Sequence, residues 1–267
     1  MKKDNLRVAV LGSGPSGLLA AHAARLHGLS LDVLSVKSKS KTGGAMYLHS
    51  PIPYLSPKRP EGIVRYRMMG DAATYARKVY GTEDAESITS FNKFKDGEEH
   101  EAWNLITAYD LLWRAWEPSI IDVKLSPAIV DEIVRDYHIV LSTIPANITC
   151  YNRGIHEFPK QGVWVAPDNV SELKNEQIVY NGTDEGSWYR QSNLWGWRGT
   201  EWGVGVPKPP LQGVVSVNKP IRTNCDCYSN QEGFMRLGRY GKWDKNVLTH
   251  HSFQEAYNYL AEVTLAL

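Results

Sequence analysis

The chain has 267 residues and 42% hydrophobic composition, enough for one large domain or a domain with a grafted second lobe. A net charge of +1 excludes a global field drawing the chain to nucleic acid or a membrane surface, leaving only local patches such as Lys37, Lys39 and Lys41. Three cysteines, Cys150, Cys225 and Cys227, are too few and odd in number for a disulfide framework, so reduced thiols are the default.

Asp4 and Arg7 interrupt the apolar start and Gly12 ends it, so the segment after Met1-Lys2-Lys3 reads as a first strand rather than a secretory leader. No run is long enough to span a bilayer, and a soluble, cytoplasmic protein without a membrane partner is expected. Arg7-Val8-Ala9-Val10-Leu11 breaks into Gly12-Ser13-Gly14-Pro15-Ser16-Gly17 and then an alanine- and leucine-rich segment. The pattern predicts a strand, a tight turn, a helix over 16–27 closed by Gly28, and a second strand over 31–36. Gly12 permits the turn, Gly14 allows close approach of a pyrophosphate, and Gly17 lets the helix pack on the strand. Phosphates would sit at the helix N-terminus, where unpaired amides and the helix dipole favour an anion.

In dinucleotide folds the second strand usually ends in an acid that accepts from the ribose. Here the position falls on Ser35 or Lys37, residues suited to a 2′-phosphate, which makes NADPH an alternative cofactor. A second glycine pair follows in Thr42-Gly43-Gly44-Ala45-Met46. With both glycine motifs present, the chain resembles the FAD-binding superfamily that includes amine oxidases and UDP-galactopyranose mutase. The resemblance implies FAD as cofactor, held by Gly12, Ser13, Gly14, Pro15, Ser16 and Gly17, by Ser35 and Lys37 near the ribose, and by Gly43, Gly44, Ala45 and Met46 beside the flavin. Ser35 and Lys37 depart from the family's ribose-binding Glu.

Residues 50–60 are rich in Pro and Tyr and read as an ordered loop. A helix is predicted over 71–80, stopped by Gly81, then a hairpin over 90–103 turning at Asp96-Gly97. Another helix over 107–116 carries Thr107 and Asp110 at capping-box spacing, with Pro118 beyond its end. Residues 123–125 are a candidate adenine-side strand, and Ser126-Pro127 starts a helix running to about Arg135. A buried parallel strand follows over 138–143, resembling the family's return strand ending in Thr-x-Pro, here Thr143-Ile144-Pro145. Short strands over 163–166, 177–181 and 187–191 suggest an antiparallel sheet.

Near the end, the segment 234–243 contains Gly238-Arg239 and is followed by Asn246-Val247-Leu248-Thr249 and a helix over about 250–265. Ser252 and Glu255 have capping-box spacing, and Thr249 is an alternative cap. The order of strand, Gly-Arg turn, loop and helix resembles the way the mutase and its relatives close their flavin site. The resemblance places Gly238, Arg239, Val247, Leu248 and Thr249 at the cofactor, where helix amides would stabilise the charge of a reduced flavin.

Cys225-Asp226-Cys227 with His250-His251 can be written as a metal site, but the spacing lacks the two-residue spacer of common zinc knuckles and the histidines lie beyond the Gly-Arg turn. A redox pair or plain loop thiols come first, and no metal is expected. His49 and Tyr47, just after the glycine pair, are candidate catalytic residues beside the flavin, the alternative for the histidine being a structural side chain. Tyr189 and Arg190 are further candidates, within a group completed by Trp195, Trp197, Arg198, Glu201 and Trp202. That group suits either stacking on a base or sugar, or a β-sheet core with a polar rim.

The expected fold is α/β, a Rossmann-like FAD/NAD(P)-binding parallel sheet with an antiparallel β substrate lobe. Residues 1–50, 120–150 and 214–267 would form the nucleotide domain, and 51–119 and 151–213 the substrate lobe. The expected activity is that of an FAD-dependent enzyme oxidising or cleaving a C–N bond of an amine or amino-acid-like group. A variant is a small phage-type lyase that trims an amino acid attached to thymine in DNA, with a small-molecule or nucleic-acid-linked substrate accordingly. The alternatives are an NADPH-dependent reductase without flavin, a UDP-sugar mutase-like flavoenzyme, and a nucleotide-binding module without chemistry.

Overall fold

The computed structural model describes residues 6–41, 45–81, 97–167, 173–203 and 205–265. The chain divides into two compact units. Unit 1 comprises residues 1–41, 107–159 and 220–267, and unit 2 comprises 42–106 and 160–219. Of the expected substrate lobe, 107–119 and 151–159 fall in unit 1, and of the expected nucleotide domain, 42–50 and 214–219 fall in unit 2.

Unit 1 is built on a five-stranded parallel sheet in the order β12-β6-β1-β2-β5, with β1 at Arg7–Leu11, β2 at Ser30–Ser35, β5 at Ile120–Asp122, β6 at Ile139–Ser142 and β12 at Phe234–Arg236. No strand covers the predicted 123–125; β5 lies just before it, and Val123 and Leu125 instead pack in the apolar cluster around Val130 and Ile133. Strands β1 and β6 are apolar and almost wholly buried, as a parallel sheet covered on both faces requires.

Helix α1 (Pro15–Leu26) follows β1 directly, with proline in its first turn, where the missing N–H costs nothing. Helix α3 (Leu105–Trp116) begins before the predicted Thr107: Asn104 Oδ1 accepts from the Ile106 amide at 3.0 Å, and Asp110 pairs with Lys39 at 2.6 Å instead of closing a capping box. Helix α4 (Pro127–Asp136) is capped by Ser126, whose side chain accepts from the Ile129 amide. A short helix α5 (Ala146–Thr149) follows β6. The terminal helix α7 (His251–Leu265) packs on α1, with Phe253, Ala256 and Leu260 buried and the Phe253 ring 5.9 Å from that of His22. The expected cap fails: Ser252 lies inside the helix, and Glu255 pairs with Lys242 at 2.7 Å.

Unit 2 holds a seven-stranded sheet in the order β11-β7-β10-β9-β8-β3-β4. Its strands are β3 (Gly62–Gly70), β4 (Glu99–Ala102), β7 (Lys160–Pro167), β8 (Gln177–Gly182), β9 (Trp188–Leu194), β10 (Trp197–Gly203) and β11 (Val215–Pro220). The hairpin expected over 90–103 falls partly outside the described residues, and β4 pairs with the unpredicted β3. The sheet is mixed rather than antiparallel, because β3 runs parallel to β8 while β8, β9, β10 and β7 pair antiparallel in succession. Parallel neighbours need a long connection, and here the chain passes through unit 1 between β4 and β7. Helix α2 (Ala72–Tyr80) is stopped by left-handed Gly81 as predicted, and Asp71, expected within the helix, instead caps it by accepting from the Thr74 amide at 2.8 Å. No described helix is long and apolar enough to cross a membrane.

Candidate functional site

The glycine turn of unit 1 is held from several sides. Gly12 adopts φ +103, a conformation few other residues accept, and its amide donates to Leu34 O at 2.9 Å. A Cβ on Gly17 would lie 1.9 Å from the Gly12 carbonyl oxygen, so the helix can sit this close only with glycine there. Thr143, ending the return strand, donates its hydroxyl to Leu11 O at 2.8 Å and occupies the space beside both glycines. Gly14 differs from both: its backbone is extended at φ −69, and a Cβ there would meet only Ser40 Oγ, at an ordinary 3.4 Å. Gly12 and Gly17 thus satisfy packing, whereas the space at Gly14 is not demanded by the fold.

Ser35 does not stand free at the end of β2. Its hydroxyl oxygen accepts from the Ser13 amide at 3.2 Å and lies 3.0 Å from Ser13 Oγ. Lys37 is exposed, with its backbone amide donating to Asp122 Oδ1 at 3.0 Å. Sequence reasoning missed Tyr109, fully buried on α3: its hydroxyl donates to Ser13 O and accepts from the Ser40 amide, both at 3.0 Å, binding the glycine turn to the loop after β2. Burial raises its pKa, keeping it a neutral donor. In sequence it reads as one more apolar-face residue beside Leu105, Ala108, Leu112 and Trp113, and no local pattern distinguishes it.

The end of the chain returns to this turn. Gly238 has φ +71, and a Cβ there would lie 2.7 Å from Ser16 Oγ and 3.1 Å from Ser252 Oγ, so it is wedged between the glycine turn and α7. The Gly-Arg pair, expected as a turn, opens a short helix α6 (Gly238–Lys242). Arg239 Nε donates to Val247 O at 3.3 Å, and the Leu248 amide donates to His251 Nδ1 at 3.2 Å, so Arg239, Val247 and Leu248 share one hydrogen-bonded loop that passes through half-buried Thr249 into α7. The hydroxyls of Ser142 and Ser252 are buried and lack a partner among the described residues.

Gly43 and Gly44 lie outside the described residues, and Pro15 and Ser16 open α1. Ala45 and Met46 are half-buried at the start of unit 2, Ala45 packing on its aromatic core. Tyr47 is buried there, its hydroxyl 2.7 Å from that of Tyr66, and the half-buried His49 ring stacks on it at 4.1 Å. Rings then run from Tyr66 through Tyr180 and Tyr75 to Tyr189. Burial pushes the Tyr47, Tyr66, Tyr75 and Tyr189 hydroxyls above the ordinary tyrosine range.

At the far end of that array, Glu201 receives the Tyr189 hydroxyl at 2.5 Å, Lys219 Nζ at 2.5 Å and the Arg190 guanidinium. A bulge between Glu201 and Trp202 accompanies this convergence of neighbours on β9. Burial raises the carboxyl's pKa, but the Arg190 and Lys219 charges outweigh it and hold Glu201 below the ordinary carboxylate range. The aromatic group read from sequence therefore splits: Tyr189, Glu201 and Trp202 are core, Trp195 is half-buried at φ +51 in the β9–β10 turn, and Trp197 and Arg198 are exposed just beyond it.

Cys225 and Cys227 do not approach His250-His251 as written from the sequence. With Cys150 and His156 they form a cluster whose four potential ligand atoms all lie within 4.8 Å of one another. His250 and His251 pack ring to ring at 4.4 Å.

These features define a Rossmann-like α/β fold whose glycine turn is closed by helix α7. No protein-family model and no curated protein sequence matches the chain. Among solved structures, a reduced UDP-galactopyranose mutase aligns at TM-score 0.58 and 11% identity, covering 98% of this chain and 94% of the other. The lathipeptide tryptophan 5-halogenase MibH aligns at TM-score 0.58 and 11% identity over 100% of this chain and 67% of its own. The tetracycline destructase Tet(51) gives TM-score 0.51 at 8% identity, covering 98% and 82%. The chain shares the fold of these proteins.

Proposed function

We propose that the chain is an FAD-dependent enzyme acting on an amine or amino-acid-like group by C–N oxidation or cleavage. The observation that carries the cofactor reading is Gly238 wedged against Ser16 and Ser252, because a simple dinucleotide domain has no need for its last helix to close on the glycine turn. Two features of unit 1 suit a large phosphate-bearing ligand: the space at Gly14 that packing does not require, and the buried hydroxyls of Ser142 and Ser252, which lack a partner among the described residues. The likeness in fold to the mutase, named independently by the sequence motifs, supports the same reading.

In this reading the turn from Gly12 to Gly17 would hold the pyrophosphate, with amides offered by Gly14, Ser16 and Gly17 because those of Gly12 and Ser13 go to Leu34 O and Ser35 Oγ and Pro15 has none, and Ser35 with Lys37 would border the ribose. Arg239, Val247, Leu248 and Thr249 would hold the ring system. FAD supplies the redox or nucleophilic chemistry when bound. Tyr47 and His49 are the candidates for handling protons at the substrate. Arg190 and Lys219 both pair with the carboxylate of Glu201.

Absorbance of the purified protein tests the cofactor. A flavin band, with FAD released on heating, supports the proposal. A colourless protein stabilised by NADPH overturns it in favour of the reductase reading, which the absence of an acid at Ser35 favours. Ammonia release from amines or amino acids by flavin-loaded protein tests the reaction, and turnover of UDP-sugars alone would favour mutase chemistry. Failure to turn over any amine, sugar or nucleotide would leave a binding module. The exposed Trp197 and Arg198 keep the DNA-linked substrate in view. Retention on an oligonucleotide column at low salt, lost at high salt, supports it.

A further inference from the structure

We propose that Cys150, His156, Cys225 and Cys227 bind one structural zinc ion. Zinc holds sulfur at about 2.3 Å and imidazole nitrogen at about 2.0–2.1 Å in a tetrahedron, so sulfur–sulfur edges measure about 3.8 Å and sulfur–nitrogen edges about 3.5 Å. The Cys150 and Cys227 sulfurs are 3.8 Å apart, and His156 Nδ1 is 3.4 Å from the first and 3.5 Å from the second. Cys225 completes the set, with all four ligand atoms within 4.8 Å of one another. One face of that tetrahedron therefore has the edge lengths of a zinc site.

The surroundings fit as well. The other imidazole nitrogen, Nε2, lies 3.3 Å from Asp226 Oδ1, the carboxylate–histidine arrangement that fixes the tautomer of a metal-bound imidazole. Three thiolates around a divalent ion leave a net negative charge, and the Arg236 guanidinium sits 3.4 Å from Cys225 Sγ through both terminal nitrogens. Cys150 and Cys227 are buried. Four protein ligands close the coordination sphere, which marks a structural rather than a catalytic site. A Cys150–Cys227 disulfide, the alternative use of these thiols, would leave the positions of Cys225, His156 and Asp226 unexplained.

The clip has a mechanical role. Cys150 follows α5, just past the end of β6, while Cys225 and Cys227 precede β12, the three-residue edge strand that pairs with β6 and leads to Gly238. Between His156 and Cys225 the chain makes its long excursion through residues 160–219 of unit 2. The ion would hold the two ends of that excursion together in unit 1.

Metal analysis of the full-length protein, purified without a metal-affinity tag or chelator, should find about one zinc per chain. Exchange with cobalt should give a thiolate-to-cobalt charge-transfer band, weakened in Cys225→Ser. Asp226→Asn, at an exposed side chain that should leave the fold intact, should weaken zinc binding about ten- to hundredfold. Protein that carries no zinc and takes up neither zinc nor cobalt on dialysis would overturn the proposal, as would iron in place of zinc or a Cys150–Cys227 disulfide in non-reducing peptide maps. The wild-type measurements decide the question even if the cysteine variants fail to fold.

Discussion

Gly238 and Ser16, separated by most of the chain, lie so close that a methyl group on the glycine would sit 2.7 Å from the serine hydroxyl. Gly238→Ala should therefore act twice, through its left-handed backbone at φ +71 and through this overlap. A non-glycine residue forced into such a conformation costs about 1–3 kcal/mol. Denaturant unfolding should show a loss of at least that size, with weaker FAD binding alongside it. Unchanged stability would mean that the last helix is not pressed on the glycine turn.

Gly14 gives the complementary case. Its extended backbone and open surroundings should let Gly14→Val fold with a near-normal melting temperature while excluding the pyrophosphate. Gly17→Val, with its Cβ driven toward the Gly12 carbonyl, should instead damage folding outright. Circular dichroism and flavin content measured together separate the two. A folded Gly14→Val protein with full FAD occupancy would refute the cradle.

Arg239 donates to Val247 O in the loop that leads to α7. Arg239→Ala should cost about 1–3 kcal/mol of FAD binding, the scale of a charged donor, a roughly ten- to hundredfold rise in dissociation constant. Titrating apo-protein by flavin fluorescence measures it. Lys37→Glu, at an exposed side chain on the other flank, should leave the same constant unchanged or lower it, since it restores an acid near the ribose position.

Glu201 predicts a pH dependence. Its carboxyl titrates below the ordinary range because Arg190 and Lys219 outweigh burial. The native state therefore binds this proton less readily than the unfolded chain, and the stabilisation is complete above the unfolded value of about 4.3. It should fall away as the solution is acidified through and below that value. Glu201→Gln should remove this acid sensitivity and destabilise at neutral pH by about 3–5 kcal/mol, since it takes the one carboxylate out of a buried ion-pair group. Chemical denaturation of wild type and variant across the acid range checks both, and parallel curves would refute the assignment.

The glycine motif, the strands flanking it, the Ser126-Pro127 helix start and the strand ending at Thr143 were legible in the sequence. Their signals are local: an apolar run, a cap or a glycine acts within a few residues. The same locality explains the misses. Asp110 and Glu255 sit at capping-box spacing, yet Asp110 finds Lys39 from a distant segment and Glu255 finds Lys242 on the preceding helix, and an ion pair at 2.6 or 2.7 Å replaces the cap. Strand β3 was invisible because its neighbours β4 and β8 are supplied by segments far along the chain.

What only the tertiary structure decided was convergence. Sequence separation says nothing about which thiols face which imidazole, and so Cys225 and Cys227 were set against His250 and His251 until folding placed Cys150 and His156 beside them. Tyr109 and Thr143 likewise became supports of the glycine turn only once α3 and β6 were packed against it. The chain's local chemistry determined that a tight glycine turn would form after β1. Burial of the apolar faces of α1 and α7 against each other decided that the end of the chain would close on it.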